Sequence, residues 1–471
     1  MNKLPWIIVA MAANTVAAAT ILPEQGSIEG DWDGAISVVG QTLPMSVHIA
    51  ADDAGLGATI DIQGVTGLPL QNVSFGDANL HMELQAGPGI AVFDGEFAGD
   101  SIGGTFTQAG MAGTFFLKRA QEGPAAPSAT ADPLPYAQEE VTFHNADITL
   151  AGTLTLPESA GPHPAAVMIS GSGAQNRDEE LFGFKPFYLI ADHLTRNGVA
   201  VLRYDDRGVG GSTGSVSAST SEDFAGDVLA AVELLKQRSD IDSERIGLIG
   251  HSEGGIVAPM AASKSGDVAF MVLMAGTSVT GEEVVLEQAA IIARTSGTPE
   301  DEIARNADYQ KRTFAAVRSG EGWDELIAEF DSQLRATVAA MPDSERTAIA
   351  DVDAYVNALV QGQIAAARTP WFRYFLDYDP AVTLRAIDTP VLALFGELDL
   401  QVVPGQNLGP MEEAFRTGGH PDYTIETLPR ANHLFMAATT GSPAEYATLP
   451  KEFVPELLPL MTDWILRRVA R

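Results

Sequence analysis

Apolar and polar positions follow two different rhythms along this chain. From residue 27 to about residue 120 they alternate with a period of two, as in Met45-Ser46-Val47-His48-Ile49, Ala58-Thr59-Ile60-Asp61-Ile62 and Thr105-Phe106-Thr107. Successive side chains of a strand point to opposite faces, so this alternation predicts strands with one buried face. Frequent Gly and Asp-Gly breaks between the runs supply the reversals of a small antiparallel β domain, sheet or barrel. Trp32 falls in its first strand and Gly113-Thr114-Phe115-Phe116-Leu117-Lys118 in its last. With no catalytic constellation between them, this domain reads as an accessory one.

Residues 121–137 hold four prolines among small residues and no apolar period, the composition of an extended linker. Beyond it, in residues 138–471, the rhythm changes. Short apolar runs at 148–156, 165–170, 199–204, 246–250, 268–275, 391–395 and 423–428 predict buried strands, and amphipathic stretches at 186–196, 222–238, 255–263 and 450–468 predict helices. Strands alternating with helices specify an α/β fold, a mostly parallel sheet covered by helices on both faces. Residues 281–387 break the alternation with charged helical sequence such as Trp323-Asp324-Glu325-Leu326-Ile327-Ala328-Glu329-Phe330. An insertion of that length between two strands reads as a helical lid over the strands' carboxyl ends.

Composition narrows the partners. The chain has 471 residues, 45% hydrophobic and 19% charged, which is globular and long enough for two or three domains. Its 28 Lys+Arg against 62 Asp+Glu give a net charge of -34, which repels phosphate backbones and anionic lipid, so nucleic acid is excluded as a partner. Lys3, the apolar stretch 4–13 and Ala17-Ala18-Ala19 form a secretory signal peptide over residues 1–19, implying a periplasmic or secreted protein. That stretch falls short of the roughly 20 apolar residues a membrane span requires, and no later segment reaches that length. The absence of Cys excludes a lipid-anchor thiol, disulfides and Cys-ligated metal. No HExxH occurs and the histidines are scattered, so no metal is expected.

Gly250-His251-Ser252-Glu253-Gly254 carries the chemistry. It follows the apolar run Arg245-Ile246-Gly247-Leu248-Ile249 and precedes a helical pattern, the setting of a nucleophile elbow, in which a sharp turn exposes the serine oxygen. A serine hydroxyl needs a base. Of the eight histidines only His420 and His433 follow the serine usefully, since His251 lies inside the elbow. His433 sits just past the last predicted strand, where the base of such a site hangs, whereas His420 in Gly418-Gly419-His420-Pro421 reads as a surface turn residue. The acid belongs between serine and histidine at a strand's carboxyl end. Asp399 is the choice there, with Glu397 of the same loop as runner-up. The oxyanion donors would be the amide of Glu253 and one from Gly171-Ser172-Gly173-Ala174, either Ser172 or Gly173.

With these residues the region from 137 to 471 resembles the α/β-hydrolase carboxylesterases of the EstD type. Ser170-Gly171-Ser172-Gly173 followed by Asn176-Arg177-Asp178, the segment Tyr204-Asp205-Asp206-Arg207-Gly208-Val209-Gly210-Gly211-Ser212, and Thr369-Pro370-Trp371-Phe372-Arg373-Tyr374-Phe375 are similar to that group. The resemblance implies an α/β-hydrolase fold and cofactor-free hydrolysis of short-chain acyl esters, small-molecule substrates. A peptidase or amidase on the same triad, and a non-catalytic envelope-binding role, are the competing readings. The glycines at 208–214 lack both dinucleotide spacing and a phosphate-loop Lys, and so form a turn. Arg177 and Arg207 are read either as braces for the site loops or as substrate contacts, and the aromatic group at 371–375 as lid core or acyl pocket.

Overall fold

The computed structural model of the protein describes residues 28–38, 41–52, 55–62, 65–86, 89–108, 111–120, 134–346, 349 and 351–470. The expected signal peptide and nearly all of the expected linker lie outside the described residues. The chain forms two compact units, Met1–Ala131 with Ser319–Ala367, and Asp132–Arg318 with Arg368–Arg471.

Among the described residues the first unit contains nine strands, β1 (Gly30–Val38), β2 (Gln41–Asp52), β3 (Gly55–Ile62), β4 (Val65–Pro69), β5 (Gln71–Gly76), β6 (Asn79–Ala86), β7 (Gly89–Phe97), β8 (Ser101–Gln108) and β9 (Met111–Arg119). They form one antiparallel sheet in the order β4-β3-β2-β1-β9-β8-β7-β6-β5. The alternation seen in sequence is the cause of its core. Trp32, Val47, Ile60, Met82, Phe93 and Leu117 are buried on one face, while their neighbours along each strand face outward. The strands expected to be first and last pair with each other, Trp32 opposite Arg119.

The second unit holds β10 (Tyr136–Asn145), β11 (Ile148–Pro157), β12 (His163–Ile169), β13 (Ala200–Tyr204), β14 (Ile241–His251), β15 (Phe270–Met274), β16 (Val391–Gly396) and β17 (Tyr423–Leu428). Their order is β10-β11-β13-β12-β14-β15-β16-β17. β10, β11 and β13 pair antiparallel and every other pairing is parallel. All seven expected strands are present. β10 is additional, an edge strand whose polar and largely solvent-accessible Gln138-Glu139-Glu140 hides it from a hydrophobicity reading. The central strands β13, β15 and β16 are buried along their whole length, because helices cover both faces of the sheet.

Those helices are α1 (Pro186–Arg196), α2 (Ser221–Lys236) and α3 (Gly254–Lys264), with α4 (Gly281–Thr295), α5 (Glu300–Ser319), α6 (Trp323–Ala340), α7 (Asp343–Arg346), α8 (Val352–Ala367), α9 (Pro370–Asp377) and α10 (Pro380–Ala386) in the insertion, then α11 (Pro404–Gly418) and α12 (Leu457–Val469). Capping boxes start α2 and α4, Thr220 with Asp223 and Thr280 with Glu283, and satisfy amides that the first turn leaves without partners. Helices α6 to α8 fall in the first unit, while α4, α9 and α10 fall in the second. The stretch expected as one lid is therefore divided. Of its helices, α9 packs against α2, α4 and the turn at 216–218. Among the described residues no helix is long and apolar enough to cross a membrane.

Candidate active site

The parallel strands β12, β14 and β16 all end on the same edge of the sheet, and the loops leaving those ends meet there. The loop after β14 is the expected elbow. Ser252 has φ +53, the left-handed region that costs an L-residue about 1–2 kcal/mol. The glycines around it are required by contact. A Cβ on Gly250 would lie 2.0 Å from the carbonyl oxygen of Gly254, and one on Gly254 would lie 2.1 Å from that of Ile169. The turn is held by Ser252 N–H donating to Met274 O at 2.8 Å and Gly255 N–H donating to Ser252 O at 2.9 Å. Helix α3 begins at once, so its partly positive amino terminus lies beside the serine.

The loop after β16 supplies the acid. Asp399 is 1% exposed, and its Oδ1 accepts the amides of Gln401 (2.7 Å) and Val402 (2.9 Å). That leaves Oδ2 for His433, whose Nδ1 is 2.8 Å away. A carboxylate only accepts, so Nδ1 carries a proton in this contact. The loop after β17 holds His433 through buried Asn432, whose Oδ1 accepts the amides of Leu434 and Met436, both at 3.0 Å. Leu398 N–H donates to Ala431 O at 2.8 Å and ties the two loops together. Ser252 Oγ makes no hydrogen bond among the described residues, so a Ser252–His433 bond is not among those formed; such bonds commonly close only in the substrate complex. Glu397 is exposed, and its Oε2 accepts the amide of Arg430 instead of a histidine.

The loop after β12 carries Gly171, Ser172 and Gly173. A Cβ on Gly171 would lie 3.2 Å from Ser252 Cβ, so this backbone passes directly by the nucleophile. Among the described residues the amides of Ser172, Gly173 and Glu253 donate to no protein acceptor. Asp206 anchors the loop, accepting from Ser170 Oγ at 2.6 Å and from the Gln175 amide at 2.9 Å. Burial pushes the Asp206 carboxyl well above its usual range, those two donors pull it back, and nearby Glu179 and Glu253 add to the rise. The cavity behind the loop, of about 20 Å³, is bounded by Ser170, Gly173, Asp206 and Glu253. It has room for one water.

Both arginines are occupied by carboxylates. Arg177 spans Asp205 (3.1 and 2.7 Å) and Glu140 (2.5 Å), and Arg207 forms a fork on Asp227 (2.7 and 2.8 Å) with a further bond to Ser219. Trp371 of α9 donates to Glu253 Oε1 at 2.7 Å and stacks on Phe375, ring centroids 5.2 Å apart, while Phe372 packs on Phe314. His420 is not a surface turn residue. It is 8% exposed, because Gly419 in the left-handed conformation caps α11 and turns the chain back, so that the imidazole packs on Phe415 and its Nε2 bonds Thr389 O at 2.9 Å. Its burial lowers its pKa.

Three groups escaped the sequence reading. Glu253 was expected only as a backbone donor, yet its side chain is buried and accepts from Ser221 Oγ (2.6 Å) as well as Trp371. Glu179 is 4% exposed, although it lies in the charged run Arg177-Asp178-Glu179-Glu180. His251, set aside as part of the elbow, is buried against it with Nδ1 2.9 Å from Glu179 Oε1. Adjacency to the oxyanion loop and the elbow was the available signal. Among the described residues no group of three or more His, Asp or Glu is placed to hold a metal ion.

Residues 166–449 match the model of the alpha/beta hydrolase family, which is more than half of the chain. The chain belongs to the alpha/beta hydrolase family. It is 30% identical over 317 residues to esterase EstD of Thermotoga maritima, a match covering 66% of this chain and 65% of that protein. It is 26% identical over 186 residues to an acyl transferase of Photorhabdus laumondii, covering 38% of this chain and 56% of that protein. The chain thus spans less than two thirds of the length of either relative. Among solved structures, an esterase of Pyrococcus furiosus is 15% identical with a TM-score of 0.43, covering 73% of this chain and 96% of that one. Similarity at that level speaks to neither substrate nor mechanism.

Proposed function

We propose that the protein is a serine carboxylesterase acting on short-chain acyl esters through an acyl-enzyme. The observation that carries this reading is the 2.8 Å contact of His433 Nδ1 with Asp399 Oδ2, in loops beside a serine held at φ +53. His433 Nε2 takes the Oγ proton as Ser252 attacks the ester carbonyl. The negative charge on the carbonyl oxygen is met by the amide of Glu253 and by that of Ser172 or Gly173. Collapse breaks the carbon–oxygen bond of the ester, and the leaving alkoxide takes the proton from His433. Water, deprotonated by His433, then attacks the acyl-enzyme and releases the acid and Ser252. Resemblance to an esterase over two thirds of the chain supports an ester substrate. We also read residues 1–19 as a signal for export, which amino-terminal sequencing of the mature protein tests.

The experiment pairs chemistry with specificity. The protein labels with a fluorophosphonate probe and hydrolyses p-nitrophenyl esters of two to six carbons faster than aminoacyl amides by kcat/KM, and Ser252→Ala abolishes both labelling and turnover. Turnover retained by Ser252→Ala overturns the mechanism, and preference for the amides overturns the substrate class.

A further inference from the structure

The elbow carries a second histidine that the acyl transfer does not consume. His251 directly precedes Ser252 and is 5% exposed. Its Nδ1 lies 2.9 Å from Glu179 Oε1, and its Nε2 lies 2.9 Å from the carbonyl oxygen of His433. A backbone carbonyl and an ionised carboxylate only accept, so with Glu179 ionised both contacts are hydrogen bonds only if both ring nitrogens carry protons. The ring is then an imidazolium and buried Glu179 its counterion. Glu179 Oε1 also accepts the Gly171 amide at 2.6 Å, while Oε2 has no partner among the described residues. The groups facing the ring come from three loops: Glu179 after β12, Asp399 after β16, and His433 after β17, whose ring centroid is 4.7 Å away. Burial pushes the His251 pKa down, but Glu179, together with the His433 carbonyl and Asp399, more than offsets it and the net direction is upward.

We propose that His251 and Glu179 form a charged positioning pair, which locks the oxyanion loop at Gly171, the elbow at Ser252 and the backbone of His433 into one arrangement. The pair holds no substrate atom. Its role rests on the acyl-transfer reading, since what it aligns is the nucleophile, the base and the oxyanion donors of that reaction. Neutralising Glu179 removes the reason for the second ring proton. The neutral ring keeps a single proton and can donate to position 179 or to the His433 carbonyl but not to both, so the link between oxyanion loop, elbow and base loses its charge assistance. Misplacement of reacting groups by a fraction of an ångström to an ångström lowers rate far more than it lowers affinity.

The test uses the full chain with ¹³C,¹⁵N-labelled histidine, the His251 signals being assigned by their loss in His251→Gln. At pH 7, where an ordinary histidine of pKa 6.5 is mostly neutral, His251 gives imidazolium shifts with two ring N–H signals, and Glu179→Gln converts it to a neutral ring. In ester hydrolysis, Glu179→Gln and His251→Gln lower kcat by about 10- to 100-fold and change KM by less than about threefold. A neutral His251 in the wild-type protein at pH 7 overturns the proposal whether or not the variants fold, and so do folded variants with undiminished kcat. The spectra need no substrate and are repeated on Ser252→Ala, so the imidazolium is scored separately from the serine mechanism, whose own failure appears as turnover by that variant.

Discussion

His433 Nδ1 stands 2.8 Å from Asp399 Oδ2, and Asp399 is fixed in turn by two backbone amides on its other oxygen. The carboxylate therefore orients the His433 ring and, in the proposed mechanism, stabilises the charge that forms on it. Asp399→Asn keeps the shape but can present an N–H to Nδ1, favouring the wrong tautomer. We expect kcat to fall on the order of 10³- to 10⁴-fold with the fold intact by circular dichroism. Glu397→Gln, altering an exposed side chain on the same loop, keeps kcat within about threefold of wild type. A reversal of the two effects would give the role of the acid to Glu397.

The elbow has no room for a side chain at Gly250. Gly250→Ala places a methyl carbon 2.0 Å from a backbone oxygen, which neither neighbour can avoid by a rotamer change. Overpacking of this kind costs about 1–3 kcal/mol, and the relief moves Ser252. The variant is expected to lose both thermal stability and probe labelling. Wild-type labelling with an unchanged melting temperature would contradict the geometry.

Glu253 is buried, and burial raises its pKa above the usual 4.5 despite the donors Ser221 and Trp371. A raised carboxyl binds its proton more tightly folded than unfolded. The stabilisation is thus fully present below pH 4.5 and is lost as pH rises through the folded value. At neutral pH a neutral acceptor of the same shape is the better occupant. Glu253→Gln should raise the melting temperature at pH 7.5 by a few degrees, corresponding to about 1 kcal/mol, with the gain shrinking toward pH 4. Differential scanning calorimetry across that range measures both.

In the β domain, His48 bonds Asp61 (3.3 Å) and Asp31 (2.8 Å), and the Asp61 bond is the largest cause of a pKa raised to about 9, opposed by desolvation and aided by Asp31. A raised histidine contributes stability that is complete below pH 6.5 and disappears as pH climbs through 9. Melting of the wild-type β domain should therefore fall between pH 6.5 and 10 by more than that of His48→Gln. Equal pH dependence in the two proteins would show that the ring is not charged at neutrality. The pair is half exposed, so solvent screens it and the effect is modest.

Much of this protein was legible locally. Period-two alternation placed β1 and β9, continuous apolar runs placed the seven strands β11 to β17, and the strand–turn–helix context of Gly250-His251-Ser252-Glu253-Gly254 marked the elbow. These signals survive in sequence because they depend on neighbours a few residues apart. β10 escaped because an edge strand has little apolar surface to bury, and the division of the insertion between two units follows from packing, which no periodicity records.

The sequence by itself determined the order of serine, acid and histidine and the types of group at each place, since those are properties of motif and chain order. Only the tertiary structure decided which acid meets His433, that Arg177 and Arg207 are taken up by carboxylates, that His420 is packed inside, and that Glu179 reaches His251 across 72 residues. The meeting of Asp399 with His433 and of Glu179 with His251 depends on loops from separate strands converging at one sheet edge. Whether a charge is solvated or buried is set by that convergence, and the sequence around Glu179 reads the same in either case.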